Sequence, residues 1–168
     1  DVVFSRFGVM FFADPGAAFA NLRRALSPGG RLGCATWQPL AKNPWMLVPL
    51  SAAAKHLPPS DPPPPDAPGP FAFADAERVE GILRAAGFAD VHHEPVEREL
   101  LVGGGGTLDA SVGFIMQLGP MGAALREASP DVLEAAARDV RAALEPYHDG
   151  SGVRLPAACW IVTARRAD

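Results

Sequence analysis

The chain has 168 residues, of which 48% are hydrophobic, 20% charged and 8% aromatic, enough for one compact domain and unlike a disulfide miniprotein, a disordered tail or a collagen-like repeat. Its formal charge is -4, and basic residues gather no further than the pairs Arg23-Arg24 and Arg165-Arg166, so nothing is built to neutralise a nucleic-acid backbone. Cys34 and Cys159 each sit in an apolar run, outside the Cys-x-x-Cys spacing of zinc or redox sites, and read as small buried hydrophobes.

Apolar stretches such as Val9 to Ala13 fall far short of the roughly 20 residues a bilayer-spanning helix needs. No basic leader or cleavable signal precedes Val9, so a cytoplasmic location without membrane or nucleic-acid partners is expected. The chain opens at Asp1, directly in the strand-like run Val2-Val3-Phe4 and without an initiator Met, which predicts further sequence upstream.

In chain order, Asp1 to Ser5 is short, apolar and β-branched, as expected of a strand buried on both faces of a parallel sheet. Asp14-Pro15 supplies an N-cap and a first-turn proline for a helix with Ala18, Leu22, Ala25 and Leu26 at helical spacing and Arg23 and Arg24 on its outer face. Ser27-Pro-Gly-Gly30 ends that helix, and Arg31 to Trp37 reads as a second strand, giving strand-helix-strand, the unit of a parallel α/β sheet. Pro44 to His56 predicts a short helix. Eight prolines between Pro58 and Pro70 predict an extended, polyproline-like loop.

Asp75 then caps a helix carrying Val79, Ile82, Leu83 and Ala86 inward, closed by Gly87. A strand follows from about Asp90 to Val102, and Pro95 within it removes a ladder donor, which predicts a sheet edge or a bulge. After the turn Gly103 to Gly106, Leu108, Val112, Ile115 and Met116 mark a helix that Gly119-Pro120 interrupts. Ser129-Pro130 caps a further helix with Val132, Leu133, Ala136, Val140 and Leu144 inward and a Glu134–Arg138 pair outside. A last strand alternates Val153, Leu155, Ala157, Cys159 and Ile161 on one face with Arg154, Pro156, Ala158, Trp160 and Val162 on the other. No fixed-period repeat is present, and only the proline-rich loop marks a change of composition.

Gly103 to Gly106 superficially matches a phosphate-binding loop, but no Gly-Lys-Ser/Thr ending follows and the preceding strand carries Pro95 and charges, so a flexible turn is the simpler reading. A nucleotide-binding role for these glycines remains as a lesser alternative. His92 and His93, adjacent in a strand, point to opposite faces and cannot share a metal. His56 and His148 lie beside loops and have the chemistry of a general base near neutral pH, with nothing local to orient either. No serine has a nucleophile-elbow setting and no carboxylate pair stands out. Phe7, Met10, Phe11 and Phe12 follow the first strand, and Trp37 and Trp45 fall at and after the end of the second. Core packing accounts for such residues, yet ligands of open parallel sheets bind beyond the carboxyl ends of strands, where all six are expected.

The runs Asp1-Val-Val-Phe-Ser-Arg-Phe-Gly-Val-Met-Phe-Phe-Ala-Asp-Pro15 and Leu22-Arg-Arg-Ala-Leu-Ser-Pro-Gly-Gly-Arg-Leu32 resemble the region between the fourth and fifth strands of class I S-adenosylmethionine-dependent methyltransferases. Asn43-Pro-Trp45, Pro68-Gly-Pro-Phe-Ala-Phe73 and Ala86-Gly-Phe88 are similar to a bacterial branch of the ubiquinone/menaquinone-biosynthesis-like enzymes. The resemblance covers essentially the whole chain and implies an α/β, Rossmann-like methyltransferase fold. Its strands would be the fourth to the seventh of the order 3-2-1-4-5-7-6, the last antiparallel. The glycine-rich cofactor loop and the ribose-binding acid of that family have no counterpart here, so residues 1–168 would be the C-terminal portion of a single methyltransferase domain, inactive alone.

By the same resemblance the cofactor is S-adenosylmethionine and the partner a small-molecule methyl acceptor. Ser5, Arg6, Phe7 and Phe11 would bind the cofactor, with Ser5, Arg6 and Phe7 on its methionine side. Met10, Trp37 and Trp45 would shape the acceptor pocket, next to Phe11 and with the proline-rich loop 58–70 as part of its cover. Neither a dedicated catalytic residue nor a metal is implied, because methyl transfer by in-line displacement draws much of its rate from alignment in a dry site. The contrasting expectation is a noncatalytic assembly module. In it the first strand exposes an unpaired edge and an apolar face, and two copies associate through that edge.

Overall fold

The computed structural model describes residues 1–59 and 63–167. They form two compact units, one comprising Asp1–Pro39, Pro63–Glu97 and Ala158–Asp168, the other Leu40–Pro62 and Arg98–Ala157. The unit boundaries at 97/98 and 157/158 fall inside two long strands, where composition does not change, which is why they leave no mark in the sequence.

Unit 1 is built on strands β1 (Val2–Arg6) and β2 (Arg31–Trp37) and on the unit's portions of β3 (Phe88–Leu101) and β4 (Arg154–Arg166). The sheet order is β1-β2-β4-β3. β1 and β2 are parallel, with Val2 opposite Arg31 and Arg6 opposite Ala35, whereas β2 and β4 are antiparallel, with Arg31 opposite Arg165 and Trp37 opposite Cys159. This is the order, and the reversed last strand, that the sequence resemblance implies. Pro95 lies in the edge strand β3, where its missing N–H disturbs no central ladder.

Helix α1 (Pro15–Ala25) starts where Asp14 Oδ1 accepts the Ala17 N–H at 2.9 Å, and α3 (Ala76–Ala85) where Asp75 accepts from Glu77 and Arg78. The two pack over one face of the sheet, joining Leu32, Cys34 and Val162 of the strands in the core. Phe19, which the helical spacing overlooks, is fully buried and meets the rings of Phe12 and Phe73 at 5.9 Å and of Phe88 at 6.5 Å.

Three expectations in this unit are corrected. β1 is not buried on both faces: it is an edge strand, and Val2 and Phe4 are 70% and 72% exposed. Arg23 does not face outward but donates to the carbonyls of Gly87 at 2.8 Å and Ala167 at 3.1 Å, satisfying two backbone acceptors. Residues 65–70 of the proline-rich segment are turned rather than extended, since Asp66 and Gly69 interrupt the prolines and Ala67 N–H closes a turn on Pro64 O at 2.9 Å. Residues 60–62 of that segment lie outside the described residues.

Unit 2 holds α2 (Pro44–Ala53), α4 (Leu108–Ile115), α5 (Gly119–Leu125) and α6 (Pro130–Leu144). α2 and α4 both pack on α6, which buries Ala136, Val140 and Leu144. Leu133, expected inward, is exposed, and Arg141 rather than Arg138 is the α6 arginine that forms ion pairs among the described residues, to Asp109 at 2.9 Å and Glu145 at 3.7 Å. α5 begins where the sequence shows only an interruption, because Gly119 adopts φ 53° and starts a new helix there. Ser129 stands at the N-cap of α6 without a side-chain cap bond. Among the described residues no helix is long and apolar enough to cross a membrane.

β4 departs from strict alternation. Val153 and Leu155 are buried before it enters unit 1, but from there Ala158, Val162 and Ala164 are buried, so the inward set changes parity at Ala157. One strand serves two cores.

Candidate functional site

Parallel β1 and β2 end side by side, and the chain leaving β1 turns sharply at Phe7. Phe7 has φ 55°, in the left-handed region that bulky residues avoid, and is held there by its N–H on Ala35 O at 3.0 Å. Its ring stacks on Trp37 at the end of β2, with centroids 4.1 Å apart and planes 12° from parallel. The following turn, Val9–Phe11, buries Met10. The Met10 Sδ accepts the Trp37 N–H at 3.5 Å, and the Met10 carbonyl accepts the Gly69 N–H at 3.1 Å, tying the end of the proline-rich segment to this corner. The Ser5 hydroxyl sits close to Gly8, where an added Cβ would lie 3.1 Å from its oxygen.

Four sequence candidates, Ser5, Phe7, Met10 and Trp37, therefore gather at the carboxyl ends of two adjacent parallel strands. Arg6 and Phe11 are on the solvent side, Phe11 at 55% exposure. Met10 is part of the packed core and supports the Trp37 backbone. Nearby in the sheet, Trp160 Nε1 donates to Ala74 O at 3.0 Å and packs edge-on against His93, whose imidazole pKa is lowered first by burial. Burial pushes the Cys34 thiol up to about 12 and raises Cys159 as well, which keeps both neutral. Cys159 is half-buried rather than fully buried.

Trp45 belongs to unit 2, buried at the start of α2, with Nε1 donating to Asn43 Oδ1 at 3.1 Å. Also in unit 2, His56 Nε2 lies 2.5 Å from Asp139 Oδ2, and Lys55 Nζ is 2.9 Å from the same oxygen. The His56 and Lys55 hydrogen bonds hold the Asp139 carboxyl below the usual carboxylate range. Sequence reasoning missed Asp139 as the group orienting His56, since the two are 83 positions apart and no local pattern links them. His148 is engaged at both nitrogens, Nε2 donating to Gly106 O at 3.1 Å and Nδ1 accepting from Gly150 N–H at 3.3 Å, which removes it as a free base.

The glycine run is a turn. Gly103 to Gly106 all have positive φ, and the Gly106 N–H is committed to Ser151 O at 2.8 Å, not presented to a ligand.

With this geometry in hand, comparison with known proteins gives a likeness of structure. No known protein family and no curated protein matches the chain. Among solved structures, the YcgJ protein of Bacillus subtilis is similar over 100% of this chain and 64% of its own, with TM-score 0.52 and 10% identity. The likeness is one of fold. A candidate methyltransferase of Bacillus halodurans C-125 is similar over 99% of this chain and 64% of its own, with TM-score 0.49 and 12% identity. Phosphoethanolamine N-methyltransferase 2 of Haemonchus contortus, solved with phosphomonomethylethanolamine and S-adenosylhomocysteine, matches over 100% of this chain and 33% of its own, with TM-score 0.41 and 16% identity. The chain thus spans less than two thirds of each of these proteins.

Proposed function

We propose that this chain is part of a methyltransferase that uses S-adenosylmethionine to methylate a small organic molecule, and that unit 1 carries the side of the site that meets the cofactor. The observation that carries this reading is the Phe7–Trp37 stack at the carboxyl ends of parallel β1 and β2, the place where open α/β sheets bind ligands. The residues there suit the group: an aromatic face for a sulfonium cation, the Ser5 hydroxyl and an exposed Arg6 guanidinium for the polar amino-acid end. When bound, S-adenosylmethionine supplies an activated methyl on a positively charged sulfur. The chain's own contribution is to bind, orient and exclude water, with Met10 fixing the Trp37 backbone and the Phe7 turn fixing the stack. Isothermal titration with S-adenosylhomocysteine tests this. Binding of about micromolar Kd, weakened at least tenfold by Phe7→Ala, is the expected result, and the absence of binding heat would overturn the assignment of Ser5, Arg6, Phe7 and Phe11 to the cofactor.

A second reading, self-assembly, is favoured by one specific observation. The bonds Arg31 N–H to Asp1 O and Phe7 N–H to Ala35 O commit the odd-numbered residues of β1 to β2, so Val2, Phe4 and Arg6 turn their backbone groups to the open edge. A second copy pairing antiparallel across a two-fold axis would set Val2 against Phe4 of the partner chain, covering the two most exposed apolar side chains of the strand. Sedimentation velocity across a concentration series is expected to show dimers that Phe4→Lys abolishes. A single monomeric species at all concentrations would remove this reading.

A further inference from the structure

Leu32, Cys34, Val162 and Ala164 of the unit 1 sheet point into the core under α1 and α3. By the alternation of strands, Val2, Phe4, Arg31, Gly33, Thr163 and Arg165 point to the other side. That side dips into a groove of about 560 Å³. Its floor drops at Gly33, which stands in register between Phe4 and Thr163, and the Phe4 ring lies 3.8 Å from where a Cβ of Gly33 would sit. One end of the groove is cationic. Arg31 and Arg165 are directly opposite each other on β2 and β4, a pairing of like charges that costs free energy unless anions answer it. The groove lining holds one carboxylate for these two guanidiniums, Asp90, 2.9 Å from Arg165 Nε.

Shape and charge together select what fits. Five of the eight lining residues are exposed, so a small molecule would stay largely in water, whereas small-molecule sites bury most of their ligand. A second copy stacked face to face about a two-fold axis would bring its own Arg31 and Arg165 against these two, like charge on like. Sheets that pair parallel strands take helices on both faces, and a helix presents an apolar stripe with charges along its flanks. The geometry points to an amphipathic helix from outside residues 1–168, with carboxylates beside its apolar stripe, docked on this open face. The stripe covers Val2 and Phe4 and seats in the dip at Gly33, and the carboxylates meet Arg31 and Arg165. All the groove residues belong to unit 1, and the inference needs neither the cofactor assignment nor the edge pairing of β1.

The test titrates the whole ¹⁵N-labelled chain with two synthetic helices of about 18 residues. Both carry leucine at i, i+3, i+4 and i+7 spacing and alanine on the far side; one flanks the stripe with glutamate, the other with lysine. The glutamate peptide is expected to shift the amides of Val2, Gly33 and Thr163 saturably, with a midpoint about tenfold below that of the lysine peptide. Leu83 on the covered side and Ala136 in unit 2 should stay still. Arg31→Glu, at an exposed strand position, should weaken the glutamate peptide about tenfold and strengthen the lysine peptide. The absence of a saturable shift, equal midpoints for the two peptides, or a charge preference that Arg31→Glu leaves unchanged would overturn the inference. Vesicles of phosphatidylglycerol form the competing arm: binding to them that Arg31→Glu abolishes, in a chain that ignores the glutamate peptide, would assign the face to a lipid surface and overturn it too. Edge pairing of β1 uses backbone groups and is read separately by sedimentation, so either result stands without the other.

Discussion

The ring of Phe7 lies 4.1 Å from that of Trp37, a contact that joins the Phe7 N–H bond to Ala35 O in fixing a bulky residue in a left-handed backbone conformation at the corner of the sheet. Phe7→Ala keeps the unfavourable φ and loses the stack, so a loss of about 1–3 kcal/mol is expected in urea unfolding. Phe7→Gly loses the same stack but sheds roughly 1 kcal/mol of backbone strain, which offsets the greater freedom of unfolded glycine. The glycine variant should therefore match the alanine variant closely, and a glycine variant much less stable than alanine would mean that φ carries no strain here.

Cys34 gives the chain an alkaline limit. Its thiol stays protonated up to about 12 in the folded state against 9.0 ordinarily, so the folded form binds a proton that the unfolded form releases between those values. The stability this contributes is present below pH 9 and is lost as pH rises toward 12. Thermal melts from pH 8 to 11 should show a decline that Cys34→Ala reduces. At pH 8, iodoacetamide should modify half-buried Cys159 before Cys34 in the native chain, as read by mass spectrometry, and both equally in denaturant.

The Asp139 cluster acts at the opposite end of the scale. Hydrogen bonds from His56 and then Lys55 lower the carboxyl pKa below 3.8, so its contribution is in place above pH 3.8 and disappears as pH falls through the lowered value. An NMR titration should place Asp139 below 3.8, and His56→Ala should move it back upward. If the midpoint does not respond to His56→Ala, the 2.5 Å contact is not what depresses it.

Thr36 is fully buried in β2, and its Oγ1 has no hydrogen-bond partner among the described residues. A buried hydroxyl without a partner costs free energy that a methyl of the same shape does not. Thr36→Val should raise stability by about 1 kcal/mol in a denaturant melt. A loss of similar size would show that a water or a bound molecule satisfies the hydroxyl.

Much of unit 1 was legible in the sequence because its signals are local. Asp14-Pro15 and Asp75 cap the helices they were expected to cap, Pro95 marks an edge, and the residues after β1 and β2 collect where parallel strands end. What escaped depends on partners far along the chain. The outward-looking Arg23 is drawn inward by carbonyls 64 and 144 positions away, and Phe19 is buried by Phe73 and Phe88. The apolar composition of β1 announced burial on both faces, but composition does not say which strands are present to cover it. In unit 2 the helices were visible by period, while α5 hid behind Gly119 and the His56–Asp139 pair behind its sequence separation.

The parity change in β4 makes that strand behave like a gear with a missing tooth. Buried positions run 153 and 155, then 158, 162 and 164, so the interval between 155 and 158 is odd where every other is even. Deleting Ala157 would close the gap and throw one end out of phase: either Val153 and Leu155 leave the interior of unit 2, or Ala158, Val162 and Ala164 leave that of unit 1. Strand length at this point is therefore constrained as tightly as any core side chain, although Ala157 itself fills little space.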